Sequence, residues 1–238
     1  MKIYHLLSIS IFTLFVHKAG IAQEKYSEEI LIGKGNPELF GDGIGLQDQA
    51  YKAFLEMQSA AKKDGISIRV VSGYRNYSRQ KAIYERKYNL YTKDGLTPEA
   101  AIEKIIRYST IPGTSRHHWG TDIDIIDGSK KVTGDVLVPS KFHGEGPFCK
   151  LKEWMDKNAS DYGFYIVYTD NPNRKGFKYE PWHYSYQPIS KPMLDAYLKL
   201  DIIEILKSDN LLGSESLTSE FMNTYIENNV SDINPALK

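Results

Sequence analysis

Cysteine is nearly absent from this sequence of 238 residues, since Cys149 is the only one. A single cysteine cannot form an internal disulfide, so the fold must depend on its hydrophobic core, with or without a bound metal. Cys149 follows Phe148 in a predicted helix, and no histidine or asparagine adjoins it. We therefore expect a buried structural thiol and not a catalytic nucleophile.

An excess of charge is also missing, because 30 basic residues balance 30 acidic ones. This balance gives no electrostatic case for binding nucleic acid or an anionic membrane surface. Hydrophobic residues make up 41% and charged residues 25% of the chain, which is close to the average for globular proteins. The length predicts one domain of ordinary size with at most a small appendage.

Apolar runs stay shorter than the roughly 20 residues that a membrane-spanning helix needs. The apolar segment Ile3–Val16 follows Lys2, and small residues precede Gln23, which is typical of a secretory signal peptide. We expect export to the periplasm or the extracellular space, without stable membrane insertion after cleavage. The predicted organisation is a signal peptide over 1–22, one domain over 23–209 and a C-terminal helical extension over 210–238.

Hydrophobic periodicity mixes helices with short strands and shows no regular alternation of strand and helix. This order favours an α+β fold, a small antiparallel sheet flanked by helices, over a parallel sheet. Helices are predicted over residues 46–63, 77–87, 97–108, 147–162, 192–207 and 215–228. Strands are predicted over residues 66–71, 121–126, 164–169 and 178–186, the last with an interruption at Pro181.

The segment Ile111–Asp127 contains two histidines and three carboxylates. Its front half, through Gly120, has the proline and glycine of a loop, while the following residues alternate polar with β-branched ones, as in a strand. Residues two apart on a strand share a face, so Asp122 and Asp124 point the same way. A loop histidine can therefore meet a strand carboxylate, and both groups are zinc ligands.

Two further polar clusters supply candidates for a third metal ligand, a general base and a group that stabilises negative charge. Catalytic zinc usually has three protein ligands and an open position, and His183 is the natural candidate for the third. Glu180 can take a proton from a zinc-bound water, provided that Pro181 bends the chain so that both side chains share a site. Arg75, at the end of a predicted strand, suits a developing oxyanion or a substrate carboxylate.

Together these clusters resemble the VanY-type D-alanyl-D-alanine carboxypeptidases, zinc peptidases that trim peptidoglycan stem peptides and share a fold with the hedgehog signalling domain. The family pattern is S-G-Y-R followed by a Gln, then S-x-H-x-x-G with an Asp four residues after the Gly, then E-P-W-H. The matching residues are Ser72–Arg75 with Gln80, Ser115–Gly120 with Asp124, and Glu180–His183. The similarity extends from about Leu31 to Tyr186.

The resemblance implies a hedgehog/DD-peptidase-like fold and a secreted enzyme that hydrolyses the terminal D-Ala-D-Ala bond of peptidoglycan stem peptides. We expect it to act as a monomer. The roles that the resemblance implies are Zn²⁺ ligation by His117, Asp124 and His183, general base catalysis by Glu180, stabilisation of the tetrahedral intermediate by Arg75, and substrate binding by Ser115, Gln80 and Tyr74.

Asp122 departs from the family pattern, which usually has a small residue such as Ala at this position. Its carboxylate could replace Asp124 as a ligand, hold a ligating histidine in place, or bind a substrate amine, and the spacing favours Asp124 as the ligand. His118 would face away from the site on an extended backbone, which favours a structural or supporting role over ligation. His143 is expected at the surface.

Several activities remain open at this point. A D,D-dipeptidase, an L,D-carboxypeptidase or an endopeptidase on peptidoglycan would share these motifs, because loop lengths around the cleft decide what lies beyond the scissile bond. A zinc-stabilised binding module without catalysis is the alternative from another class. The presence of both Glu180 and Arg75 argues against it.

Overall fold

The computed structural model describes residues 26–207 and 209–238, and the predicted signal peptide lies outside these ranges. The helices are α1 (Glu28–Leu31), α2 (Asp48–Lys63), α3 (Tyr77–Lys93), α4 (Pro98–Ile105), α5 (Cys149–Asn158), α6 (Gln187–Tyr197), α7 (Ile202–Lys207) and α8 (Ser219–Tyr225). The strands are β1 (Ile68–Ser72), β2 (Asp122–Asp127), β3 (Phe164–Ile166) and β4 (His183–Tyr186).

The four strands form one sheet in the order β1-β2-β4-β3, and every neighbouring pair is antiparallel. This confirms the predicted α+β fold with a small antiparallel sheet. β2 is a central strand and all six of its residues are buried. Its register pairs Asp124 with Ser72 of β1 on one side and with His183 of β4 on the other. The sheet therefore brings the three polar clusters of the sequence together.

Two hydrophobic clusters stabilise the fold. One joins α2 and α5 to the sheet, and its members include Phe54, Met57, Ile123, Ile125, Phe148 and Leu151. Because Ile123 and Ile125 belong to this cluster, the prediction that both side chains turn to the core is confirmed. The other cluster joins α3, α4 and α6 to the C-terminal segment, with Tyr84, Ile102, Met193, Met222, Tyr225 and Leu237 among its members. Residues 210–238 thus pack against the rest of the chain, while a domain boundary at 209 stays a prediction.

Proline and capping residues account for the main differences from the predicted elements. The predicted helix 192–207 is two helices, α6 and α7, because the carboxylate of Asp201 accepts a hydrogen bond from the backbone N–H of Glu204 and starts a new helix. The predicted strand 178–186 is shortened to β4, since the chain turns at Pro181 before the strand begins.

The expectation of a buried Cys149 is wrong. This residue begins α5 and is partly exposed, with its thiol 3.5 Å from a carboxylate oxygen of Glu153 one helical turn later. First-turn side chains of a helix project beside the preceding loop, so apolar neighbours in sequence do not ensure burial. Among the residues that the structure describes, no helix is long and apolar enough to cross a membrane.

Candidate metal centre and active site

Three side chains converge at the centre of the sheet, as the sequence predicts. His117 lies on a short 3-10 turn, Arg116–Trp119, which ends at Gly120 with a positive φ of 65°. Its Nε2 is 3.4 Å from Oδ2 of Asp124. On the other side, Nδ1 of His183 is 3.8 Å from Oδ1 of Asp124. One ligand atom from each of the three buried residues lies within 4.8 Å of the other two.

These residues fit a zinc ion. Tetrahedral ligands at about 2.0–2.1 Å from zinc are about 3.3 Å apart, close to the separation of His117 and Asp124. Nδ1 of His117 donates to the carbonyl oxygen of Gly73 at 2.8 Å, which leaves the Nε2 lone pair for a metal. Oδ1 of Asp124 and Nε2 of His183 are buried, and neither has a hydrogen-bond partner among the described residues. A cation would satisfy both atoms.

The electrostatics favour the ligand forms of His117 and Asp124, whereas for His183 the hydrogen bond to Glu180 and the charge of Asp124 outweigh burial and raise the pKa. Burial lowers the pKa of His117, which keeps the ring neutral near pH 7. Burial alone would raise the pKa of Asp124, but the interactions with His117, His183 and Arg75 lower it below its ordinary value. A neutral imidazole and an ionised carboxylate are the forms that bind zinc.

Glu180 reaches the triad through the turn at Pro181. The backbone N–H of His183 donates to the carbonyl oxygen of Glu180 at 3.1 Å, which closes the turn. Oε2 of Glu180 accepts a hydrogen bond from Nδ1 of His183 at 3.0 Å. Burial raises the pKa of Glu180. The bend that the sequence required is therefore present, and Glu180 and His183 face one site.

Arg75 extends into the same site from the end of β1, where Gln80 and Ser72 fix its guanidinium group. Nη1 donates to Oε1 of Gln80 at 2.7 Å, and Nη2 donates to Oγ of Ser72 at 3.0 Å. Gln80 has no exposed surface, and its amide nitrogen donates to the carbonyl oxygen of Thr110 at 2.7 Å. The structure thus brings Gln80 to Arg75 and not to the cleft surface.

Asp122 lies apart from the triad and pairs with Arg116. Oδ1 of Asp122 accepts a hydrogen bond from Nε of Arg116 at 3.2 Å, and Nη2 of Arg116 donates to Oγ of Ser185 at 2.8 Å. Sequence reasoning did not single out Arg116. The signal that could have identified it is Asp122 itself, because a carboxylate on a buried strand requires a nearby positive charge.

His118 connects two loops beside the site through hydrogen bonds. Its Nδ1 donates to the carbonyl oxygen of Arg75 at 2.5 Å, and its Nε2 accepts from the backbone N–H of Gly113 at 3.2 Å. Burial lowers the pKa of His118 to about 3, so the ring is neutral. A Cβ on Gly33 would lie 2.4 Å from this ring. His143, by contrast, is exposed, and its ring contacts the hydroxyl of Tyr179.

The site opens into a cleft of about 580 Å³. Ser115 and the carboxylates of Asp124 and Glu180 line it, together with His117, His183 and Arg75. Tyr74 is not among the lining residues. Basic residues of α3 and α4, which the sequence did not reveal as part of a site, also line the cleft.

Comparisons with known proteins agree with this geometry. A family model for VanY, D-alanyl-D-alanine carboxypeptidase, matches residues 43–189. A D-alanyl-D-alanine carboxypeptidase of Enterococcus faecalis is 28% identical over 167 residues, which cover 66% of this chain and 57% of the relative. This chain therefore spans only a little over half the length of that relative.

Solved structures of VanY proteins share the fold. VanYB in complex with D-Alanine-D-Alanine is 26% identical with a TM-score of 0.53, over 79% of this chain and 91% of that chain. A Glu-to-Ala mutant of the vancomycin resistance D,D-pentapeptidase VanY in complex with Zn(II) is 26% identical with a TM-score of 0.51, over 76% and 88%. Since the family model covers more than half of the sequence, this chain belongs to the VanY D-alanyl-D-alanine carboxypeptidase family.

Proposed function

We propose that this protein is a zinc-dependent D-alanyl-D-alanine carboxypeptidase that hydrolyses the terminal D-Ala-D-Ala bond of peptidoglycan stem peptides. The observation that carries the proposal is the convergence of His117, Asp124 and His183 with Glu180 in one cleft. The D-Alanine-D-Alanine bound to VanYB and the Zn(II) bound to the VanY mutant support the substrate and the metal.

His117, Asp124 and His183 would hold the zinc ion. When bound, zinc polarises a carbonyl group and lowers the pKa of a coordinated water to about 7. Glu180 takes the proton of the attacking water at its carboxylate and delivers it to the nitrogen of the leaving D-alanine. The turn at Pro181 and the hydrogen bond between His183 and Glu180 support this role.

Arg75 meets the substrate oxygen on which negative charge develops. Its hydrogen bonds to Gln80 and Ser72 hold the guanidinium group before the substrate arrives, so little reorganisation is needed during the reaction. We infer that Gln80 acts through Arg75. Ser115 lines the cleft and would contact the substrate, and a substrate contact at Tyr74 stays a prediction.

The same proposal extends to location and assembly. A family that acts on peptidoglycan works at the cell wall, which agrees with a cleaved signal peptide over residues 1–22 and with export to the periplasm or the extracellular space. We propose that the mature protein acts as a monomer on stem peptides.

Mass spectrometry of defined muropeptides incubated with zinc-loaded protein tests this function. Release of one D-alanine from a pentapeptide stem supports the carboxypeptidase. Release of a dipeptide, trimming of a tetrapeptide or cleavage of a cross-link would instead indicate the dipeptidase, the L,D-carboxypeptidase or the endopeptidase. If no stem is cleaved, the binding module becomes the better description.

The Glu180→Gln variant is the matched control for this assay. It should bind zinc and keep the fold, because Glu180 is not one of the three proposed ligands. Its turnover should fall by about 10²- to 10⁴-fold, the usual contribution of general acid–base catalysis. Unchanged turnover in this variant would contradict the assignment of the base.

A further inference from the structure

One wall of the cleft is lined by basic side chains outside the catalytic cluster. α3 contributes Ile83, Arg86, Lys87 and Tyr91, whose spacing puts them on one face of the helix. α4 contributes Lys104, whose Nζ lies over the ring of Tyr91 at 4.1 Å from its centroid. We refer to Arg86, Lys87 and Lys104 as the cationic wall.

The cationic wall has little neutralisation from the protein itself. Within residues 26–207 and 209–238, none of its three members forms a salt bridge with a carboxylate. The acidic residues that line the cleft are Asp124, Glu180 and the exposed Asp135. The first belongs to the proposed metal ligands and the second to catalysis, which leaves Asp135 as the counter-charge.

Within the cationic wall, Lys87 interacts electrostatically with two proposed catalytic residues, Arg75 and Glu180. Its side chain is partly buried, and burial together with Arg75 and Arg86 lowers its pKa. Glu180 and Asp135 act in the opposite direction. A cation that is partly desolvated and surrounded by other cations is stabilised when an anion enters the cleft.

The face of α3 that lines the cleft is longer than the single residue that follows the scissile bond. From Ile83 to Tyr91, α3 rises by about 12 Å, at 1.5 Å per residue. An extended peptide covers this distance with about three to four residues. A carboxypeptidase leaves a single residue beyond the scissile bond, so its terminal carboxylate stays near the metal centre. The cleft-lining face of α3 is therefore long enough to meet stem residues that precede the scissile bond.

We propose that Arg86, Lys87 and Lys104 form a subsite for a second carboxylate of the substrate, carried by the side chain of a stem residue that precedes the terminal D-Ala-D-Ala. This inference rests on the proposed function and specifies the substrate class. The preferred stem contains an amino acid whose side chain ends in a free carboxylate, as in diaminopimelate. The corresponding amide would lack the charge that the wall recognises.

Equilibrium binding of two synthetic pentapeptides tests the subsite independently of turnover. The peptides share the sequence L-Ala-γ-D-Glu-X-D-Ala-D-Ala, with X as diaminopimelate in one and its side-chain amide in the other. Calorimetry with the zinc-loaded Glu180→Gln variant avoids hydrolysis. We expect the free carboxylate to bind about fivefold or more tightly than the amide at low salt, with a smaller ratio at high salt.

Three variants test which residues of the cationic wall cause the preference for the free carboxylate. Lys87→Gln and Lys104→Gln should each lower the ratio, and Arg86→Gln/Lys87→Gln/Lys104→Gln should bring it close to one. Lys93→Gln is the matched control, because Lys93 belongs to α3 and is exposed but does not line the cleft. Gln is a helix former like Lys and Arg, so these substitutions preserve α3 and α4.

Two results would overturn the subsite. One is equal binding of the two peptides by the protein with an intact wall, and the other is a preference that persists in the triple variant. Turnover of the same peptides by the protein with Glu180 intact is measured in parallel. Hydrolysis of both at equal efficiency, with equal binding, contradicts only the subsite, whereas preferential binding without hydrolysis contradicts only the proposed function.

Discussion

The carboxylate of Asp122 accepts a hydrogen bond from Nε of Arg116 at 3.2 Å, and both side chains are buried. Asp124, two residues further along β2, instead lies 3.4 Å from His117. Two carboxylates of one strand thus have different partners on the same 3-10 turn. Because Arg116 neutralises Asp122, this second acid can occupy a buried position without competing for the proposed metal.

Breaking the buried pair should destabilise the protein strongly. Asp122→Ala leaves the guanidinium of Arg116 without its counter-charge, and Arg116→Met leaves Asp122 in the same condition. We expect each variant to lose about 3–5 kcal/mol of unfolding free energy, measured by urea denaturation. The double variant should lose less than the sum of the two losses, because it leaves neither charge buried alone. Additive losses would show that the two side chains do not depend on each other.

The zinc content of two variants distinguishes the role of Asp124 from that of Asp122. Asp124→Ala should bind much less than one zinc per chain, whereas Asp122→Asn should stay fully loaded, as measured by mass spectrometry of the metal after dialysis. Chelation of the unmodified protein should abolish hydrolysis, and added zinc should restore it. A fully metallated Asp124→Ala variant would move the ligand role to Asp122.

Local patterns predicted the central strand and β1 to within two residues, but not the start of β4. The alternation of Asp and Ile in residues 122–125 fixed which side chains enter the core, and Ile123 and Ile125 are both buried. Strand periodicity indicated that a loop histidine can meet a strand carboxylate, but the specific set of His117, Asp124 and His183 followed from the family resemblance. Strands distant in sequence are adjacent here, and their register depends on the whole sheet.

Interactions between elements were not accessible from the sequence. The pairing of Arg116 with Asp122 depends on the 3-10 turn, whereas the sequence indicated only a loop. Gln80 was expected to contact the substrate, but its hydrogen bonds to Arg75 and Thr110 depend on how α3 packs behind the site. Arg86 and Lys87 are adjacent polar residues of α3, and only tertiary packing shows that they line a cleft.

Gly73 should be required for both packing and metal binding. A Cβ at this position would lie 1.9 Å from the carbonyl oxygen of Ile44, and the carbonyl of Gly73 itself orients His117. We expect Gly73→Ala to lower stability by about 1–3 kcal/mol and zinc affinity by about 10- to 100-fold. Zinc titration against a competing chelator measures the second effect.

Gly134→Ala is the control for this substitution. Gly134 has a φ of 71°, and nothing lies within 4 Å of an added Cβ. This variant should lose only about 1–2 kcal/mol from backbone strain, with unchanged zinc affinity. Equal zinc affinities in the two glycine variants would show that the Gly73 carbonyl does not orient His117.

Tyr225 links the C-terminal segment to the loop before Ser115. Its hydroxyl accepts from the backbone N–H of Ile111 at 3.2 Å and lies 2.8 Å from Oγ1 of Thr114. Tyr225→Phe leaves the buried amide unpaired, so we expect a loss of about 1–3 kcal/mol in urea denaturation. The control is Tyr184→Phe, because the buried hydroxyl of Tyr184 has no hydrogen-bond partner among the described residues. Its removal should be neutral or stabilising, and equal losses in the two variants would contradict a specific role for Tyr225.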